Sequence, residues 1–210
     1  MLLALIVLYV VSLLYLSIIE RFRHYVMILA LQGWLLFGVA LLRWHASEWY
    51  ELAFVVTETL IFKALVLPAI LYRVIRRTGI NRVHTASVAV FNQLLMSMGL
   101  LLGSLVMTYY MAADTQFDMV FFGVALYAVL SGMLLIITHK RIFSHLVGFL
   151  VIENGVFLFA MAIGVEMPYL INIAILLDIL MSVLMLGMVI ARIGTRYRHM
   201  NVDNLDSLKD

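Results

Sequence analysis

The sequence is dominated by apolar runs of about 20 residues, the length that a helix needs to cross a lipid bilayer. Seven such runs lie near residues 2–19, 25–42, 52–72, 86–110, 118–138, 144–164 and 168–191. Backbone polar groups must be satisfied internally in lipid, so each run predicts a transmembrane α-helix. The expected fold is therefore an all-α polytopic membrane protein with seven transmembrane helices.

The basic residues predict the direction of these spans. Twelve of the fourteen Lys and Arg fall in alternate connections or in the C-terminal tail, whereas the other loops are acidic. The positive-inside rule places the basic connections in the cytoplasm. We therefore expect the N-terminus outside and the C-terminus inside. The first run has no basic leader and no cleavage site, so we expect it to be retained as a helix.

Composition excludes several classes of chemistry. The chain is 65% hydrophobic and contains no cysteine, which rules out disulfides, iron–sulfur ligation and thiolate metal sites. No phosphate-binding loop, nucleophile elbow or zinc-ligand spacing is present. We therefore predict no catalytic residue, metal or cofactor in this chain, and no nucleic-acid partner.

Four ionisable residues lie inside the apolar runs, and they are the strongest functional signal in the sequence. They are Glu58, Lys63, Glu153 and Asp178. A charge at the centre of a bilayer costs roughly 2.5–3.5 kcal/mol on insertion scales. Four unpaired charges would cost on the order of 10–14 kcal/mol, comparable to the stability of a whole domain. Such groups are retained when they pair, stay neutral or carry ions, so we predict a role in moving protons or another small cation.

Glu153 and Asp178 lie in consecutive predicted spans joined by a short loop. Glu153 is about eight residues beyond His145, which places it roughly 12 Å deep. Two carboxyl groups at similar depth can exchange a proton directly or through water, and each affects the titration of the other. Glu153 is therefore predicted to be a proton relay, with a neutral, hydrogen-bonded structural role as the alternative.

Glu58 and Lys63 lie in the third run, followed by Pro68. On an ideal α-helix a five-residue offset rotates the two side chains about 140° apart, which disfavours an ion pair within the helix. A buried lysine can change protonation near neutral pH, so Lys63 is a predicted proton site, and Glu58 is expected to be partly hydrated. Pro68 removes a backbone hydrogen bond and is expected to kink this helix.

Amide side chains are candidates for lining the same path. Asn92 and Gln93 are predicted in the cytoplasmic half of the fourth span, and Asn154 follows Glu153. Hydrogen bonding between helices is the alternative role for these amides. An internal repeat would make Gln32-Gly33 and Asn154-Gly155 equivalent positions of two halves of the chain, 122 residues apart.

The sequence resembles membrane subunits of two kinds of redox complex. The region 139–155, with a basic turn before Glu153 and with Asp178 in the next span, resembles the three-helix K subunit of respiratory complex I. That family usually has Glu where this chain has Asp178. The whole chain resembles the component E subunit of hydrogenase-4 type membrane-bound nickel–iron hydrogenases, most specifically at Lys63–Pro68, Ile152–Gly155 and the tail Val202–Lys209.

This resemblance implies three regions, a location in a prokaryotic inner (cytoplasmic) membrane and a function. Residues 1–110 would form a four-helix membrane region, 111–198 a K-subunit-like region and 199–210 a cytoplasmic tail. The chain would be a non-catalytic membrane-arm subunit of a complex-I-like membrane-bound hydrogenase or related redox-driven pump. Its expected partners are antiporter-like and complex I-like membrane subunits, the lipid bilayer and, indirectly, a soluble hydrogenase or redox module. The alternatives are a subunit of a multi-subunit cation/proton antiporter and a structural scaffold without an ion path.

Overall fold

The computed structural model describes residues 1–19, 21–43, 56–78, 88–111, 118–140 and 142–163, and within these ranges the chain is helical with no β-strand. The elements are α1 (Leu2–Leu16), α2 (Phe22–Arg43), a π-helix (Thr57–Val66), α3 (Leu67–Thr78), α4 (Val90–Met111), α5 (Met119–Thr138) and α6 (Ile142–Ile163). The prediction of an all-α chain is confirmed for the described residues. The predicted span 168–191 and the tail 199–210 lie outside them.

Among the described residues, four helices, α2, α4, α5 and α6, are long and apolar enough to cross a membrane. Their mean hydropathies lie between 1.7 and 2.5 over windows with few charges. Helix α1 is apolar but has only 15 residues, and the third predicted span is divided between the π-helix and α3. The fold is that of a multi-pass membrane protein.

Helices α5 and α6 form an antiparallel hairpin whose backbones touch. A Cβ atom built on Gly132 would lie 2.5 Å from the carbonyl oxygen of Gly148, and one on Gly148 would lie 2.7 Å from that of Gly132. Small residues permit this approach, which is the usual basis of helix packing in lipid. At the open end of the hairpin, the Asp118 carboxylate caps α5. The backbone N–H of Asp118 donates to the Ala162 carbonyl at 3.3 Å.

Two turns rich in basic residues lie at the same end of the bundle, which we call the basic end. These are the α1–α2 turn and the α5–α6 turn. The rings of Phe22 and Phe143 pack edge to face at 4.6 Å, and Tyr25 lies 6.5 Å from the His139 ring. The two turns are therefore adjacent, which agrees with the expectation that they share one side.

The segment before Pro68 is a π-helix, which the sequence did not lead us to expect. Pro68 has no N–H and would clash with the carbonyl of Ala64 in a continuous α-helix. The wider turns end at Val66, and α3 then begins with Pro68 in its first turn, where no donor is required. Because π-helices bond residue i to residue i+5, the backbones of Glu58 and Lys63 are one turn apart. The 140° separation predicted from α-helical geometry is wrong for this segment.

Candidate functional site

A hydrogen-bonded chain of polar side chains crosses the interior of the bundle. The Asn154 Nδ2 donates to Gln32 Oε1 at 3.3 Å, and the Gln32 Nε2 donates to Ser12 Oγ at 3.1 Å. The Ser12 hydroxyl in turn donates to the carbonyl of Tyr9 at 2.6 Å. We call Ser12, Gln32 and Asn154 the polar layer. Its three side chains are buried, and they link α1, α2 and α6.

Lys63 reaches the interior from the π-helix. Only 5% of the residue is exposed, and its Nζ lies 4.8 Å from the centroid of the Phe157 ring. A cation over an aromatic face gains about 2 kcal/mol or more when it is desolvated. Phe157 follows Glu153 by one turn of α6, so the ammonium group of Lys63 lies on the side of α6 that carries Glu153.

Close packing of backbones holds the π-helix against α2. A Cβ atom on Gly33 would lie 2.7 Å from the backbone nitrogen of Ala64 and 2.8 Å from the carbonyl carbon of Lys63. Glycine is therefore required at position 33 by the proximity of the neighbouring backbone. This contact places Lys63 directly beside the helix that carries Gln32.

Glu153 lies near the middle of α6 and is 8% exposed. It immediately precedes Asn154 of the polar layer. A carboxyl group, an ammonium group and two amides are thus gathered in one region of an apolar bundle. Ionisable groups inside a membrane bundle can hold a proton or pass it to a neighbouring polar group.

The remaining predicted site residues are distributed differently. Gln93 is buried in α4, whereas its neighbour Asn92 is exposed on the surface of the same helix. Pro68 is buried at the start of α3, where the helix type changes. Glu58 belongs to the π-helix, with its side chain outside the described part of the structure, and Asp178 lies outside the described residues.

The sequence did not predict two of the polar contacts in the interior. One is the pairing of Ser12 with Gln32, and the other is the buried hydrogen bond between Ser97 and Tyr127 at 2.7 Å. A polar residue isolated in an apolar run was the available signal in each case. Serine is common in transmembrane helices, so the signal did not separate these positions from ordinary helix packing.

His139 is the C-cap residue of α5 at the basic end. Its Nδ1 lies 3.1 Å from the Leu135 carbonyl and 3.0 Å from the Thr138 hydroxyl. The carbonyl accepts only, so Nδ1 carries the hydrogen and Nε2 remains the basic nitrogen. Burial lowers the pKa of His139 below its ordinary value of 6.5, the bond to Leu135 opposes this, and His145 lowers it further. The neutral form of His139 is therefore favoured more than in a free imidazole.

Fold and site together define a multi-pass helical membrane protein with ionisable and amide groups in its interior. The chain is similar to the protein described as Uncharacterized protein Rv0085 from Mycobacterium tuberculosis (strain ATCC 25618 / H37Rv). The two are 27% identical over 190 residues, which cover 90% of this chain and 86% of the mycobacterial protein. No protein-family profile matches the chain, and no solved structure matches it.

Proposed function

We propose that this protein is a non-catalytic membrane-arm subunit of a complex-I-like membrane-bound hydrogenase or related redox-driven pump. Its buried ionisable residues would take part in proton translocation. The proposal includes seven spans, an N-terminus outside and the basic end in the cytoplasm, where the positive-inside rule puts it. It also includes a location in a prokaryotic inner membrane.

One observation carries the proposal: Lys63 and Glu153 are both buried on one side of α6, next to the polar layer. Ionisable residues inside a membrane bundle are costly and typically mark ion pathways or proton relays. The sequence resemblance to hydrogenase-4 component E supplies the class of complex. Asp178 and Glu58 are the further acids that this proposal assigns to the path.

The central test replaces Glu153 by Gln, which keeps volume and hydrogen bonding but removes the titratable proton. Inverted membrane vesicles containing the assembled complex are energised through its redox module, and acidification is followed with a pH-sensitive dye. We expect proton uptake per electron to fall several-fold while the complex still assembles. Ser104→Ala is the matched control, because the Ser104 hydroxyl bonds only within α4, to the Leu101 carbonyl, among the contacts described. Full pumping by the assembled Glu153→Gln complex would refute the relay.

The partners are tested separately by purification in mild detergent and mass spectrometry of the associated chains. We expect antiporter-like and complex I-like membrane subunits together with a soluble hydrogenase or redox module. Recovery of membrane subunits alone would instead favour the multi-subunit cation/proton antiporter. Recovery of the chain as an active, solitary protein would contradict both assemblies.

A scaffold is the second candidate, and the polar layer is the observation that favours it. Ser12, Gln32 and Asn154 are bonded to one another in a continuous chain, as expected for polar groups that hold helices together. A scaffold predicts that Glu153→Gln leaves pumping intact, whereas Gln32→Leu disrupts assembly. The relay predicts loss of pumping in an assembled Glu153→Gln complex, so this variant separates the two functions.

A further inference from the structure

A small pocket whose mainly apolar wall includes hydroxyl and amide side chains lies between α1, α4, α5 and α6, towards the basic end of the bundle. We call it the hydroxyl pocket. It is lined by Leu13, Leu16, Ser17, Gln93, Ser97, Ser131, Leu134, Leu135, Thr138 and Val151. The centre of a water molecule has about 20 Å³ in which to move. A buried water needs about 10–15 Å³ measured in this way, together with two to four polar partners.

Gln93 supplies the strongest indication of a ligand in this pocket. The residue is 4% exposed, and among the described ranges its Nε2 has no hydrogen-bond partner. A buried donor left unsatisfied costs about 1–3 kcal/mol. A small ligand with an acceptor oxygen removes that cost. The hydroxyls of Ser131 and Thr138 also line the pocket, so one water molecule has several groups to bond.

A second, smaller cavity provides the contrast. It is lined by residues of α1, α2, α5 and α6 that include Leu35, Leu36 and Phe121, it has a volume of about 10 Å³, and its surface is apolar. Small apolar cavities stay dry, because water inside them has nothing to bond. The hydroxyl pocket is larger and has hydroxyl and amide groups in its wall, so it suits water, whereas the apolar cavity does not.

The hydroxyl pocket also lies between two features already described. Thr138 belongs to its wall and is within 3.0 Å of the His139 ring at the basic end. Val151 belongs to its wall and precedes Asn154 of the polar layer by about one turn of α6. We infer that the hydroxyl pocket binds a water molecule held by Gln93, which extends the polar layer towards His139. If the proposed function holds, this water is the step by which cytoplasmic protons reach the layer.

X-ray radiolytic footprinting tests the water directly, because hydroxyl radicals formed from bound water oxidise the side chains beside it. The full chain is irradiated in lipid nanodiscs, and oxidation rates are read by mass spectrometry. Leu135 in the hydroxyl pocket and Leu35 in the apolar cavity are matched, at 5% and 6% exposed. We expect Leu135 to be oxidised several-fold faster than Leu35. Equal rates in the wild-type chain would overturn the inference.

Two neighbouring amides provide the control pair. Gln93→Leu removes the buried amide and should bring oxidation of Leu135 down to the rate of Leu35. Asn92→Leu removes an exposed amide one residue away and should leave that oxidation unchanged. Unchanged oxidation in a folded Gln93→Leu variant would refute the role of Gln93. The wild-type comparison serves as the test if that variant does not fold. Footprinting does not depend on pumping, so a failure of the proposed function would leave this result standing.

Discussion

Gly33 is the position where a single methyl group should most clearly disturb the site. In Gly33→Ala the new Cβ would meet Ala64 N, Ala64 Cα and Lys63 C at 2.7–2.8 Å. Ordinary contacts begin at 3.4 Å, so the π-helix backbone must move by about 0.7 Å. These atoms belong to a backbone rather than to a flexible side chain, so they cannot rotate away.

The free-energy cost of this overpacking can be measured by comparison with a second glycine. Overpacking of this kind costs about 1–3 kcal/mol. Alanine also favours a helix over glycine by about 0.5–1 kcal/mol, which partly hides the effect. Gly103→Ala is the matched control, because nothing lies within 4 Å of a Cβ at that position on α4. The propensity gain cancels between the two variants, so their difference should be about 1–3 kcal/mol.

Reversible unfolding of both variants in mixed detergent micelles, followed by helical circular dichroism, measures this difference. We expect Gly33→Ala to be the less stable variant and Gly103→Ala to match or exceed the wild-type chain. Equal stabilities would refute the reasoning, because they would mean that the π-helix does not press against α2 at this point.

Two further predictions concern the polar groups. Gln32→Leu should destabilise the chain by about 1–3 kcal/mol, because the buried Asn154 Nδ2 loses its acceptor; the same unfolding assay checks this, and a stability equal to that of Ser104→Ala would contradict it. His139 should make stability depend on pH, because its folded pKa is below the unfolded value of 6.5. Its stabilising contribution is complete above 6.5 and is lost as pH falls through the folded pKa. The free energy of unfolding, measured as a function of pH, should therefore decline less steeply on acidification in His139→Gln than in the wild-type chain. Parallel pH curves for the two proteins would rule out His139 as the cause.

The helices themselves followed well from the sequence, because length and apolarity are enough to identify a membrane span. The predicted run 118–138 coincides with α5 apart from its capping residue, and the run 144–164 lies within two residues of α6 at each end. Basic turns were also predicted on a common side, and the contact between Phe22 and Phe143 brings two of them together. Each of these features depends on local composition.

Packing partners were not predictable in the same way. In a water-soluble helix an apolar stripe shows which face is buried, but in lipid every face is apolar. Nothing in the sequence therefore indicated that Gln32 faces Asn154, or that Gln93 is buried while Asn92 is exposed. The π-helix was missed for a related reason. Pro68 predicts a disturbance, but the form of that disturbance depends on how closely α2 approaches.

The bond between Gln32 and Asn154 has a consequence for biogenesis. The two residues are 122 positions apart in the chain. At the usual rates of synthesis, about 6–24 s pass between their emergence from the ribosome. Ser12 is made before Gln32 and can accept its amide hydrogen at once, but the amide oxygen must wait for Asn154. During that interval the Gln32 oxygen lacks the donor that it has in the folded structure, so the polar layer is completed only when α6 joins the bundle.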